Sequence, residues 1–201
     1  MRRSQCPAEV STAAAAYLER FEPWTEAAEA MTAASIADQR TADTADTAGC
    51  SPPAVVAEGF VGAESTQPFL TALTAHFTNL QWQQNPTYTD ESFLSRYAYC
   101  ELLGPAGLMT RSTVSVGLLY LAPATMYPPH AHPAEEAYHL LGGMSEWQAG
   151  SAALTWRSPG ERIEHPSGAS HSMRSGPTPM LALYVWRGDL ATPARFLREP
   201  H

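Results

Sequence analysis

The reading of this chain turns on one stretch, Tyr127-Pro128-Pro129-His130-Ala131-His132-Pro133-Ala134-Glu135-Glu136-Ala137-Tyr138. In extended backbone, residues two apart share a face, so His130 and His132 point the same way. Glu136 and Tyr138 do the same at the start of the next strand. Pro133 favours a turn between the two pairs, which folds them towards one point. Imidazole nitrogens with one carboxylate suit a divalent transition metal, Zn, Mn or Fe, better than Mg or Ca. An H-x-H pair alone recurs by chance on protein surfaces. The glutamate at this offset turns the pair into an expectation of one metal ion per chain. By the same alternation Glu135 faces solvent and His139 points away from Tyr138, while His165 falls in a loop before Pro166. None of these three is read as a ligand.

Around this stretch the chain is written in short extended segments. Tyr97–Leu103 stops at Gly104-Pro105, and Thr113–Leu121 ends before Pro123. Ala137–Leu141 ends at Gly142-Gly143, followed by Ser145–Gln148, Ala152–Trp156 and Leu181–Trp186. Many short strands at near-regular spacing predict an antiparallel barrel or sandwich. Residues 1–96 read differently, as a helical extension packing on a barrel formed by 97–201, the two most simply one integrated domain. The alanine-rich residues 11–39 predict a first helix capped by Ser11, with Tyr17, Leu18 and Phe21 on one stripe, and a second from about Thr25 to Ala37. A third runs from Pro68 to Asn79, with Phe69, Leu70, Leu73 and Phe77 at helical spacing. The T-A-D echo from Thr41 to Gly49 reads as a loop or linker.

A second motif lies about 35 residues beyond the first. His130-x-His132-x3-Glu136-x6-Gly143 resembles the first cupin motif, with Ala124 in place of its leading glycine. Gly160-x5-Pro166-x-Gly168-x2-His171 resembles the second, with Ser175 at its closing asparagine position. The resemblance covers roughly residues 113–186. It implies a mainly β, double-stranded β-helix (jelly-roll) barrel in which both motifs feed ligands to one metal, here including His132, Glu136 and His171. The flanking tyrosines narrow the resemblance. Tyr127-x2-His130-x-His132-Pro133-Ala134-Glu135-Glu136-x-Tyr138 is similar to the bacterial cupin lyases of dimethylsulfoniopropionate, which also carry a helical segment before the barrel. That likeness implies a metal set of His132, Glu136, Tyr138 and His171. It puts Tyr127 in the active site, His130 along the same pocket, and the products at acrylate and dimethyl sulfide.

The chemistry can be checked on the residues themselves. Elimination from a β-sulfonio carboxylate needs a base for the C–H beside the carboxylate, and something to stabilise charge as that proton leaves. A metal binding the carboxylate does the second job. A tyrosine near the cation has its phenolate favoured, so Tyr138 or Tyr127 is the candidate base. Dimethyl sulfide leaves as a neutral molecule and needs no acid. The sulfonium suits an aromatic pocket, with Tyr120, Trp147, Trp156, Tyr184 and Trp186 as candidate walls. Tyr184 and Trp186 share one strand face and are read as substrate-binding. Two other readings compete: an iron dioxygenase using His130, His132, Glu136 and His171, and a non-catalytic cupin sensor.

Bulk properties exclude other classes. The formal net charge of −8 argues against a phosphate-dominated partner, so no nucleic acid is expected. No apolar run approaches the ~20 residues that span a bilayer, and no membrane partner is expected. Met1-Arg2-Arg3 lacks a following apolar region, so no export signal is read. Cys6, Cys50 and Cys100 are odd in number and outside any C-x-x-C pattern. They read as reduced thiols of a cytoplasmic protein. The expected partner is a small-molecule substrate, with a homodimer as the open possibility.

Overall fold

A computed structural model describes residues 8–20, 27–31, 60 and 62–197. Its eleven strands are β1 (Tyr97–Gly104), β2 (Met109–Thr110), β3 (Val114–Leu121), β4 (Met126–Ala131), β5 (Glu135–Gly142), β6 (Ser145–Ala149), β7 (Thr155–Arg157), β8 (Arg162–His165), β9 (His171–Ser175), β10 (Met180–Arg187) and β11 (Arg195–Phe196). They form a six-stranded sheet in the order β2-β1-β3-β10-β5-β8 and a five-stranded sheet in the order β11-β4-β9-β6-β7. Pairing is antiparallel throughout except between β1 and β2. This is the mainly β barrel that the two motifs imply.

Two apolar layers hold it together, and strand alternation sorts residues between them. Along β1, β3 and β10, one set of alternate positions includes Cys100, Leu102, Val116, Leu118, Leu183 and Val185. These pack outward against helical residues such as Val10, Leu18, Phe69, Leu70 and Leu73. The other set faces the barrel interior, where Tyr97, Leu119, Tyr138, Leu140, Ala182 and Tyr184 meet Tyr127, Trp147 and Met173 of the second sheet. β3 is buried along its whole length because both of its faces are covered, and its sequence is accordingly an almost unbroken apolar run.

The helical part follows the predicted pattern with shifted bounds. The first helix is Ala8–Leu18, so Ser11 lies inside it and is buried rather than capping it. Residues 27–31 are helical, and the remainder of the second predicted helix lies outside the described residues, as do the T-A-D stretch, Cys6 and Cys50. The third helix is Gln67–His76, its last turn tightening into a 3₁₀ segment, Phe77–Asn79. The strand expected at Ala152–Trp156 is instead Thr155–Arg157, because residues 150–154 are spent on the turn from β6. His165, expected in a loop, ends β8 and pairs with Glu136. Cys100 is buried as a free thiol. No helix among the described residues is long and apolar enough to cross a membrane.

The departures from the cupin motifs have structural consequences. Ala124, in the glycine position, adopts φ +52°, a conformation that costs an L-residue roughly 1 kcal/mol. Ser175, in the asparagine position, donates through its hydroxyl to the Ala122 carbonyl at 2.6 Å and accepts from the Thr125 amide at 2.8 Å. It thereby pins both sides of the strained turn. Gly143 is retained because its φ is +77° and a Cβ there would lie 2.1 Å from the Pro179 carbonyl oxygen.

Two outcomes follow for stability. Ala124→Gly should stabilise the protein by about 0.5–1 kcal/mol in denaturant unfolding, since it relieves the left-handed strain while Ser175 still holds the turn. His139 lies fully buried between barrel and helices, 5.8 Å from the Tyr17 ring, and burial together with Arg162 lowers its pKa to about 3. The unfolded chain therefore binds a proton that the folded protein refuses between about pH 6.5 and 3. Its contribution is complete above pH 6.5 and is lost as the pH falls through that window. Unfolding free energy measured against pH should lose about one proton of slope in His139→Leu.

Candidate metal centre

Strand register brings the two motifs together. His130 on β4 pairs with His171, the first residue of β9, while Glu136 near the start of β5 pairs with Trp186 of β10 and His165 of β8. His132 follows β4 at the turn before β5. Oε2 of Glu136 lies 2.9 Å from His132 Nε2 and 3.1 Å from His171 Nε2, and all three side chains are buried. One donor atom from each of the three lies within 4.8 Å of the other two. In a tetrahedral shell with metal–ligand distances near ~2.1 Å, neighbouring donors sit roughly 3.4 Å apart, so small movements convert this cluster into a ligand set.

The histidine rings are held by backbone carbonyls in the orientation a metal site needs. His132 Nδ1 lies 3.0 Å from the Ala134 carbonyl, His171 Nδ1 2.9 Å from that of Ala169, and His130 Nδ1 2.8 Å from that of Pro128. A carbonyl only accepts, so each Nδ1 carries a hydrogen, and in His132 and His171 Nε2 is the nitrogen turned towards Glu136. His171 Nε2 is buried without a hydrogen-bond partner despite the nearby carboxylate. Burial pushes the Glu136 carboxyl up, but its hydrogen bonds and charge interactions with His132 and His171 outweigh that, holding it well below the usual carboxylate range. The Trp186 indole N–H donates to its other oxygen. An ionised carboxylate and two buried imidazole Nε2 atoms converging on it, that of His171 without a hydrogen-bond partner, fit a divalent transition metal.

The remaining predicted site residues lie around this cluster. His130 stacks on Tyr127, with ring centroids 3.9 Å apart and planes 10° apart, and meets His171 edge-on at 4.1 Å. Burial, then His171, lowers its pKa well below the ordinary value, so it is neutral. It stands beside the three-residue cluster rather than within it. The Tyr127 hydroxyl is 2.6 Å from that of Tyr88. Tyr138 lies 4.9 Å from Trp147 and 6.4 Å from His171 between ring centroids. Burial drives both Tyr127 and Tyr138 well above the ordinary phenol value, and for Tyr138 the Glu136 charge adds to the rise.

Tyr127, Tyr138, Tyr184, Trp186 and Glu136 open on a cavity of about 220 Å³ that Asn85, Pro86, Leu190 and Ala194 also line. Three of the expected walls do not line it, and of these Trp147 packs beside Tyr138 in the barrel interior. Tyr120 faces the helices beside Phe60 and Trp82, because alternation along β3 gives the interior to Leu119. Trp156 is 47% exposed on the outside. The sequence reading missed Tyr88, Tyr97, Tyr99, Glu101 and His165. The period-two set Tyr97, Tyr99 and Glu101 was a usable signal, whereas Tyr88 sits in irregular chain that carries none. His165 stacks on His171 at 4.1 Å and 10°, and its pKa falls to about 4 through burial and the nearby charged partners of the cluster.

The sequence profile of dimethylsulfoniopropionate lyases matches residues 29–182. This chain belongs to the dimethylsulfoniopropionate lyase family. Dimethylsulfoniopropionate lyase DddQ of Ruegeria pomeroyi is 38% identical over 101 residues, which is 50% of each chain. The putative family member DddL of Cereibacter sphaeroides is 32% identical over 127 residues, 62% of this chain and 53% of that one. The chain thus spans about half the length of the curated relatives it matches. The crystal structure of Ruegeria pomeroyi DddQ superposes with a TM-score of 0.76 at 25% identity, covering 95% of this chain and 97% of the other. The chain therefore shares the fold of that structure.

Removing a donor tests the cluster. His132→Ala or His171→Ala in this family member should weaken zinc or manganese binding by at least ~10-fold in calorimetric titration, since a three- or four-ligand site has little redundancy. Tyr184→Phe, which alters the cavity but not the cluster, should leave metal affinity unchanged.

Proposed function

We propose that the protein is a metal-dependent carbon–sulfur lyase that cleaves dimethylsulfoniopropionate to acrylate and dimethyl sulfide by β-elimination. The observation that carries this reading is the buried His132–Glu136–His171 cluster, whose Glu136 lines a cavity that also presents five tyrosines and Trp186. His132, Glu136 and His171, with Tyr138 as a fourth donor, would hold one Zn, Mn or Fe ion. When bound, such an ion supplies Lewis acidity towards a substrate carboxylate and favours a neighbouring phenolate.

The side chains then divide the work. Tyr138, two residues along β5 from Glu136 and on the same face, is the preferred base, with Tyr127 the alternative. Burial raises both phenols well above the ordinary value, so either would serve as base only with a positive charge beside it. The base takes the proton α to the carboxylate. The electron pair of that C–H bond becomes the new carbon–carbon double bond, the C–S bond breaks, and its pair leaves on sulfur as neutral dimethyl sulfide. Trp186 holds Glu136 by its indole N–H, and His130 packs Tyr127 in place. Tyr184 and Trp186 offer π faces to the sulfonium methyl groups.

Under strict anaerobic conditions the metal-loaded protein should release acrylate and dimethyl sulfide in equal amounts; activity that needs oxygen would instead support a dioxygenase. At matched metal occupancy, Tyr138→Phe should cut the rate by about 10²–10⁴-fold. Deuterium at the substrate α-carbon should slow any residual turnover. Near wild-type rates in both Tyr138→Phe and Tyr127→Phe would remove the tyrosines as base.

A further inference from the structure

The far side of the same cavity carries a carboxylate that the elimination does not use. β1 turns Tyr97, Tyr99 and Glu101 towards the cavity, while Ala98, Cys100 and Leu102 pack outward. Register then draws a row across four strands of the six-stranded sheet. Glu101 pairs with Gly117, Gly117 with Tyr184, and Tyr184 with Tyr138. A Cβ on Gly117 would lie 2.4 Å from both Cζ and the hydroxyl oxygen of Tyr184, so the phenol lies across the glycine towards β1. Glu101 is fixed at the end of this row. Ser115 donates to its Oε1 at 2.8 Å and the Ala106 amide to its Oε2 at 3.2 Å.

The charges are lopsided. Among the described residues no lysine, arginine or histidine lines the cavity, whose carboxylates are Glu101 and Glu136. Glu136 is matched by its two histidines. Among the described residues no ion pair reaches Glu101, and its partial burial pushes the carboxyl up, a cost that a cation in the cavity would offset. Tyr99 and Tyr184 beside it supply π faces that attract a methylated cation further.

We propose that Glu101 is the counter-charge for the onium end of the substrate and sets the preference for a cationic over a neutral 3-substituted propionate. The inference rests on the cavity being the lyase's substrate pocket, with the substrate carboxylate at the metal cluster. Glu101 is a specificity-determining residue, and its loss acts on recognition of the charge rather than on proton removal.

Two carboxylates of the same shape separate charge from fit: 3-(trimethylammonio)propanoate and 4,4-dimethylpentanoate. Calorimetric titration of the zinc-loaded protein should give the cationic ligand about ten-fold tighter binding or better. Glu101→Gln should bring the two affinities within about two-fold, leaving that of the neutral ligand unchanged or improved. Glu101→Met supplies a second uncharged side chain of similar length should Gln disturb the fold, which thermal unfolding monitors. Glu101→Asp, which keeps the charge, should retain the preference. An undiminished preference in the Gln and Met variants, or its equal loss in Asp, overturns the role of Glu101 and leaves the lyase reading standing. Failure of the cationic ligand to bind the wild-type protein overturns both.

Discussion

A single ionised carboxylate inside the barrel sets the terms for everything around it. Glu136 is almost fully buried, and an isolated charge there would cost several kcal/mol. It is tolerated because two imidazoles and an indole N–H converge on it, and those groups come from three different places in the chain. His132 arrives from the turn after β4, His171 from the start of β9 and Trp186 from β10. Satisfying that one charge therefore requires both sheets in register. The metal-binding chemistry and the barrel topology are two consequences of the same demand.

Much of this was legible in the sequence, because spacing in a strand is a direct statement about faces. H-x-H followed by a glutamate after a proline turn, with a second histidine about 35 residues on, is enough to nominate a cluster. Likewise Tyr184 and Trp186, two residues apart, had to share a face, and both line the cavity. What spacing leaves open is which face points inward. Tyr120 was expected in the pocket and lies under the helices, since the sequence of β3 is apolar on both faces and so leaves its orientation undetermined. His165 was assigned to a loop because Pro166 follows it. The strand simply runs up to the proline, and pairing with Glu136 sets the imidazole against His171.

Aromatic residues do most of the remaining work, in two layers with separate duties. The outer layer, with Tyr17, Phe69, Phe77 and Trp82, joins helices to barrel. The inner layer, with Tyr88, Phe93, Tyr97, Tyr127 and Phe196, packs around the cavity mouth; Tyr88 and Phe196 are stacked 3.9 Å apart and almost parallel. Tyr127 belongs to this second group, bonded to Tyr88 and stacked on His130. Its hydroxyl is held by another phenol, whereas that of Tyr138 is held by Glu136 itself. This difference in surroundings favours Tyr138 as the base. The substitutions at Ala124 and Ser175 show the barrel tolerating local strain where a hydroxyl can staple the turn.

The central claim is that His132, Glu136 and His171 form one metal site on which the elimination depends. Stripping the protein of metal and adding back zinc or manganese in steps, while recording dimethyl sulfide release and bound metal together, tests it most directly. The account predicts no turnover in the stripped protein and activity rising in proportion to occupancy up to one ion per chain. Full activity without metal, or one bound ion that leaves the rate unchanged, would contradict it.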